Sequence, residues 1–281
     1  MHWQTSRYRI DLSRPKVMGV VNVTPDSFFD GGLHASVSAA IAHCQRLVAE
    51  GADMLDIGGE STRPGADSLG AAHELTRVLP VLREALRLGV PVSVDTSEPM
   101  VMREALALGA DIINDVRALQ RPGAVAAVAA HPKAGLCLMH MRGEPTDMQS
   151  LTDYDDVIAD VRSFLAARMQ AAESAGVHRE RIVLDPGIGF AKSPDHNLIL
   201  TAHLDELLAP LGRPVLVGWS RKGTLGRITG RTVGDRLAAS LAAALAAVHH
   251  GAAIVRAHDV AATVDALKVW QAVATGHLPK T

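Results

Sequence analysis

The sequence predicts an α/β protein, a (β/α)8 TIM barrel forming a single domain, with a short N-terminal strand or hairpin capping its lower end. Three observations predict it. Eight short apolar runs recur along the 281 residues, at 17–23, 54–57, 90–94, 111–113, 136–139, 182–184, 215–217 and 253–255. Stretches with helical periodicity separate them, and strands alternating with helices build parallel sheets. Behind nearly every run stands a polar residue of chemical character, and a barrel of this kind carries its chemistry at the C-terminal face of its strands. The runs are continuous rather than alternating, as expected for strands buried on both faces. An open doubly wound sheet is the alternative, but no G-x-G-x-x-G follows the first run.

Residues 1–16 are polar, with Tyr8, Ile10 and Leu12 alternating, which suits a small strand or hairpin. Residues 36–50 place Val37, Ala40, Ile41, Cys44, Leu47 and Val48 on one helical face, ended by Gly51. Helices are predicted next over 71–88, 99–108, 123–130, 153–175, 195–208, 233–249 and 260–274. The one at 99 opens with a proline, which costs nothing in a first helical turn. The phrase "helix, glycine, apolar strand" recurs around Gly51, Gly89, Gly109 and Gly251, and glycine supplies the left-handed cap from which the chain re-enters the sheet. Two long polar loops follow the first and second runs, at 24–36 and 61–70. At that rim such loops commonly close over substrate.

Composition narrows the function. The formal net charge of −2 gives no global attraction for nucleic acid or an anionic membrane, and an aromatic content of 3% is poor for stacking on single strands. An anion would need a local cluster, and Arg63, Arg221, Lys222, Arg256 and His258 supply one. Cys44 and Cys137 make neither a disulfide framework nor a zinc spacing and read as small buried hydrophobes. The N-terminus lacks the apolar core of a signal peptide, and no run approaches the roughly 18 residues of a membrane span, so a cytoplasmic location is expected.

Asp95, Asn114 and Asp185 each follow an apolar run. Two carboxylates and an amide converging in a barrel mouth would satisfy a flat heterocycle rich in N–H donors, since a carboxylate takes two parallel charge-assisted hydrogen bonds from a guanidine-like edge. Each could instead cap the next helix, Asp95 above all, because Thr96 and Ser97 follow it. Lys222, with Ser220, Arg221 and Gly223, forms a compact cationic turn after the seventh run, where many barrels bind phosphate. Arg256 and His258 alternate and so point the same way. Such a pair suits a diphosphate, and an internal salt bridge is the other reading. Asn22 and Asp30 are too sparse for a calcium cage but suit Mg²⁺, which keeps waters and shares ligands with substrate phosphates. His140, between two methionines, reads as a core residue. No serine or cysteine stands in an elbow motif, so catalysis by positioning and electrostatics is expected.

The strings NVTPDSFFDGG, DIGGESTRPGA, VSVDTS, IINDV, MHMRG, DPGIGFAK, GWSRKG and VRAHDV resemble those of the dihydropteroate synthases, in the family's order and over roughly residues 15–270. The resemblance implies a (β/α)8 barrel, usually a homodimer, that joins 6-hydroxymethyl-7,8-dihydropterin diphosphate to 4-aminobenzoate with Mg²⁺, and that sulfonamides inhibit as competitive mimics. It implies a pterin pocket of Asp95, Asn114, Asp185 and Lys222, with Met139 and Phe190 packing on the ring and Arg256 beside it. Diphosphate would meet Asn22, Arg63, Arg256 and His258, and Mg²⁺ would meet Asn22 and Asp30. The 4-aminobenzoate would sit among Phe28, Thr62, Pro64, Phe190 and Ser220. Asp95, Asp185, Lys222, Arg256 and His258 would carry the catalysis. Ala191 and Gly223 stand where the family more often has glycine and serine. Pterin-binding methyltransferases share the Asp/Asn/Asp set but have no use for a diphosphate. A non-catalytic pterin-binding homologue would have no need of Asn22, Asp30 and the Arg256/His258 pair.

Overall fold

A computed structural model describes residues 1–23, 32–60 and 70–278. The chain opens with β1 (His2–Gln4) and β2 (Arg9–Asp11), an antiparallel pair. Eight parallel strands follow: β3 (Lys16–Asn22), β4 (Met54–Gly58), β5 (Val92–Asp95), β6 (Ile112–Asp115), β7 (Gly135–Met139), β8 (Ile182–Asp185), β9 (Leu216–Val217) and β10 (Ile254–Ala257). The helices between them are α1 (Gly32–Ala49), α2 (Ala71–Ala85), α3 (Pro99–Leu108), α4 (Ala124–Ala129), α5 (Val157–Ser174), α6 (Pro194–Ala202), α7 (Leu204–Leu208), α8 (Gly223–Thr229), α9 (Leu237–His249) and, after the last strand, α10 (Val260–Thr275).

The strands lie in the order β8-β7-β6-β5-β4-β3-β10-β9. Val215, just before β9, bridges to Leu184 of β8, and Leu184 N donates to Pro214 O at 3.0 Å, which closes the ring. This is the predicted barrel. Each strand sends alternate side chains inward and outward. Val17, Val21, Leu55, Ile57, Val92, Val94, Ile113, Leu136 and Val255 face the helices. Met18, Met54, Ile112, Cys137, Val183, Leu216 and Ile254 fill the lower interior.

Trp3, Ile10 and Leu12 of the N-terminal hairpin plug that interior from below. Trp3 is fully buried and its indole N–H donates to Arg181 O at 2.7 Å. Burying roughly 200 Å² of indole at about 25 cal/mol per Å² contributes about 5 kcal/mol, so the hairpin is part of the core. Asp111 fixes it in place: its carboxylate accepts from Arg7 Nη2 at 2.6 Å and from Val92 N at 2.9 Å. Asp111, expected to open the fourth run, thus lies below β6 as a clasp. Both cysteines are free and buried, as expected, and burial pushes the Cys44 thiol up to about 12.

The predicted helices over 71–88 and 153–175 are trimmed to Ala71–Ala85 and Val157–Ser174, and two others break. The 195–208 stretch breaks at His203, which leaves the helical region with φ −118°. The 233–249 stretch begins as a single tight turn, and α9 starts only at Leu237. At that break Arg236 donates to Arg231 O and Arg221 O, both at 3.1 Å, holding the loop that follows β9.

Candidate active site

The inward positions near the upper end of the barrel are polar. On β4 the inward residues are Met54, Asp56 and Gly58, and the register sets Asp56 beside Ser93, Gly58 beside Asp95, and Asp95 beside Asn114. Arg256 reaches across from β10. Its Nε donates to Asp56 Oδ2 at 2.7 Å and its Nη2 to Asp95 Oδ2 at 3.0 Å. Asn114 Nδ2 donates to the same Asp56 oxygen at 3.1 Å. Asp56 has no exposed surface, and its Oδ1 has no hydrogen-bond partner among the described residues. Burial raises the Asp95 carboxyl above its usual range, the Asp56 charge adds to this, and Arg256 opposes it. The two carboxylates in turn hold Arg256 more firmly protonated, against the cost of its burial. An acceptor-rich floor of this kind matches a ligand edge that carries several N–H donors.

Asp185 ends β8 and is likewise buried. Burial raises its carboxyl to about 6, against a 2.7 Å hydrogen bond from Gly187 N and the charge of Lys222. Lys222 Nζ lies 4.1 Å from the centre of the Phe190 ring, a cation–π contact. Burial, then the Arg256 charge, lower this ammonium to about 8. Phe190 packs on a small buried cluster that includes Met139, Met141 and Met148. Met139 is paired in register with Asp185, so an apolar wall and a carboxylate share one edge of the mouth.

The opposite edge carries Asn22, Ser220 and His258. With Asp95, Phe190, Lys222 and Arg256 they line one cleft of about 710 Å³. Ser220 Oγ accepts from His258 N at 3.1 Å and lies 2.9 Å from His258 Nδ1. Burial, with Arg256 and Arg221 nearby, lowers His258 to about 3. The expectation of two cations side by side is corrected: buried beside a charged Arg256, the His258 imidazole is neutral. Arg256 also makes the internal salt bridges that were its other reading. Arg221 belongs to the cluster only in part, because its guanidinium is engaged by Asp259 at 2.6 Å.

The structure therefore brings together Asn22, Asp95, Asn114, Met139, Asp185, Phe190, Ser220, Lys222, Arg256 and His258. Phe28, Asp30, Thr62, Arg63 and Pro64 lie outside the described residues. Three functional candidates were missed. Asp56 hides inside the apolar run 54–57, where inward alternation with Met54 was the available signal. Lys192 closes the DPGIGFAK string and is buried. Arg117, also buried, joins Glu60 at 3.3 Å to Glu144 at 2.6 Å along the rim. His140 is buried, as its core reading expects, with its ring edge-on to Phe164.

Among the described residues no three His, Cys, Asp or Glu side chains gather to hold a metal ion. Asn22 offers one oxygen at the cleft. That donor set fits a hard cation held mainly by substrate phosphates and water, and not a self-sufficient protein site.

Residues 18–258 match the pterin binding enzyme family. Among solved structures, dihydropteroate synthase of Xanthomonas albilineans with 4-aminobenzoic acid is 52% identical, with a TM-score of 0.91 over 98% of this chain and 99% of that one. Dihydropteroate synthase of Burkholderia cenocepacia complexed with 7,8-dihydropteroate is 49% identical, with a TM-score of 0.89 over 98% and 97%. That of Yersinia pestis with a sulfonamide drug is 44% identical, with a TM-score of 0.92 over 98% and 100%.

Proposed function

The chain belongs to the dihydropteroate synthases, within the pterin-binding enzymes, and from this premise we propose how its own residues perform the condensation. The reaction joins 6-hydroxymethyl-7,8-dihydropterin diphosphate to 4-aminobenzoate, giving 7,8-dihydropteroate and diphosphate, and sulfonamides mimic the amine. The observation that carries the mechanism is that Asn22, Asp95, Ser220, Lys222, Arg256 and His258 line a single cleft, with Asp56 and Asn114 joined to Arg256 and Asp95 in one hydrogen-bonded array and Asp185 buried near Lys222.

The pterin ring lies between Met139 and Phe190, its donor edge toward Asp185, Asn114 and Asp95. The bond between the exocyclic methylene carbon and the diphosphate oxygen breaks first. The electron pair leaves with the diphosphate and positive charge is left on the pterin. Asp185 and Asp95 stabilise that charge from fixed positions in a water-poor site, where such stabilisation is strongest. Asn22, Arg256 and His258 meet the leaving diphosphate, Arg256 by charge and neutral His258 by a ring N–H. The amine nitrogen then bonds to the methylene carbon and gives up its proton to solvent. An aryl amine is neutral near pH 7, so no strong general base is required. Asn22 would hold Mg²⁺, with Asp30, and the ion would supply charge neutralisation on the diphosphate oxygens.

Pterin diphosphate binds first, and the amine follows into the pocket expected from Phe28, Thr62, Pro64, Phe190 and Ser220, with Arg63 on the diphosphate. We further infer one domain spanning the chain, a homodimer and a cytoplasmic location. Among the described residues no helix is long and apolar enough to cross a membrane. Exposed Leu198, Ile199, Ile228, Val233 and Leu237, on and around neighbouring α6, α8 and α9, support an apolar dimer face. The test is incubation of purified protein with labelled 4-aminobenzoate, the pterin diphosphate and Mg²⁺. Label should appear in dihydropteroate, with one diphosphate released per turnover. No label in dihydropteroate at saturating substrates would overturn the proposed function, and release of diphosphate only when the amine is present would overturn the proposed order of bond breaking before bond making.

A further inference from the structure

Lys192 closes the DPGIGFAK string and has no place in the mechanism above. It is nevertheless among the most deeply placed cations of the chain, with 3% of its surface exposed. Its ammonium lies 2.9 Å from His140 Nδ1, 2.9 Å from Phe190 O and 3.0 Å from Gly187 O. Its three N–H donors meet these three close acceptors, with His140 O further out at 3.4 Å, so the group is satisfied without a carboxylate in direct contact. Burial, then the Lys192 charge, lower His140 to about 2, and burial lowers the Lys192 ammonium to about 7; while the ammonium keeps its proton, the neutral imidazole accepts from it at Nδ1.

The three acceptors come from two walls of one slot. His140 follows Met139 at the end of β7. Gly187 and Phe190 belong to the turn after β8. Met139 and Phe190 are the apolar pair that would pack on the pterin. We propose that Lys192 is a positioning residue for the pterin site: it sets the gap between the Met139 and Phe190 walls by tying the turn at 187–190 to the end of β7.

Two further observations agree. A side chain at Gly187 would collide with His140 O at 1.9 Å, so the turn lies against the β7 end without clearance. Gly187 and Gly189 both have positive φ, and a turn with such backbone freedom needs outside fastening to hold one form. Weaker tethers fasten the same turn from its exposed side. Tyr154 Oη donates to Ala191 O at 2.9 Å and Gln149 Nε2 to Gly189 O at 3.2 Å.

This inference rests on the pterin reading of the slot, so the test separates the two. Lys192→Met keeps the stem and removes the donors. Titration of the intact variant with 6-hydroxymethylpterin, which lacks diphosphate, should show an affinity at least tenfold below the parent's. In turnover assays the KM for the pterin diphosphate should rise by a similar factor, while the KM for 4-aminobenzoate at saturating pterin stays within about threefold. A purely structural role would lower folded protein and kcat and leave that split absent. Pterin affinity within twofold of the parent, in folded variant, overturns the proposal. If Lys192→Met does not fold, Lys192→Gln, which keeps one shorter donor group for the same acceptors, should raise pterin KM by about threefold to tenfold, and no change there overturns it equally. A parent that binds no pterin at all refutes the functional reading of the slot and the proposal together, whereas normal parent turnover with an unmoved variant refutes only the proposal.

Discussion

Arg256 donates to Asp56 at 2.7 Å across 200 residues of chain, joining the last barrel strand to the second through the middle of the barrel. The same guanidinium reaches Asp95, so one cation serves the buried carboxylate of Asp56 and the half-buried one of Asp95.

That asymmetry ranks two substitutions. Removing one partner from a buried ion pair costs about 3–5 kcal/mol, because the survivor is left uncompensated. Arg256→Met strands both Asp56 and Asp95 and should cost that much. Asp56→Asn leaves Arg256 its Asp95 partner and relieves the repulsion between the two carboxylates, so it should cost less, about 1–3 kcal/mol. Urea unfolding of both variants checks this. Equal losses, or the reverse ranking, would mean that the three groups do not share charge as described.

Lys222→Ala should cut kcat by about a hundredfold while leaving the fold intact. The side chain lies in the wall of the cleft over Phe190, outside the apolar clusters, so its loss removes little core packing. A pre-positioned charge at a reacting site is worth roughly a hundred- to thousandfold in rate. Near-parental turnover at saturating substrates would remove Lys222 from the chemistry.

Asp185→Asn should weaken pterin and spare the amine. Gly187 N donates to Asp185 Oδ1, and an amide oxygen can keep that bond, so the turn stays in place. The other position then offers an N–H where the ligand needs an acceptor. Loss of a charge-assisted hydrogen bond costs about 1.5–3 kcal/mol, roughly ten- to a hundredfold in pterin KM. The 4-aminobenzoate KM should move by less than about threefold. An equal rise in both constants would place Asp185 elsewhere in the cycle.

The barrel was legible because its signals repeat. The runs, the Gly51, Gly109 and Gly251 caps and the polar run ends all point to one architecture. Asp95 and Asn114 were legible for a local reason: each ends a run, where a polar residue interrupts an apolar pattern. Asp56 was not. It sits inside 54–57, between Leu55 and Ile57, which face the helices, and only the period of two marks it as an interior residue. The state of Arg256 and His258 was not legible either, since it depends on Asp56 and Asp95 across the barrel and on the depth of both groups. Lys192 shows the same limit: its partners are backbone carbonyls and a histidine, which no composition or spacing displays.

Glu74 should make the protein less stable as pH rises. It lies on the first turn of α2 with 2% of its surface exposed, and its Oε1 has no hydrogen-bond partner among the described residues. Burial raises its carboxyl from 4.5 to about 7, a hydrogen bond with Thr96 opposes this, and the charges of Glu60 and Glu98 add to it. The folded state therefore binds this proton more tightly than the unfolded one. The benefit is complete below about pH 4.5 and is lost progressively as pH climbs to about 7. At about 1.4 kcal/mol per unit the loss amounts to about 3 kcal/mol. Glu74→Gln keeps the shape and cannot ionise, so its stability relative to the parent should improve by about 2–3 kcal/mol between about pH 5 and about pH 8. Urea unfolding at intervals across that range reads the difference directly. A difference that stays flat would show that Glu74 ionises without cost, through water or a cation reaching Oε1, and that the end of β4 is better solvated than the close approach of Glu74 and Val78 to Gly59 implies.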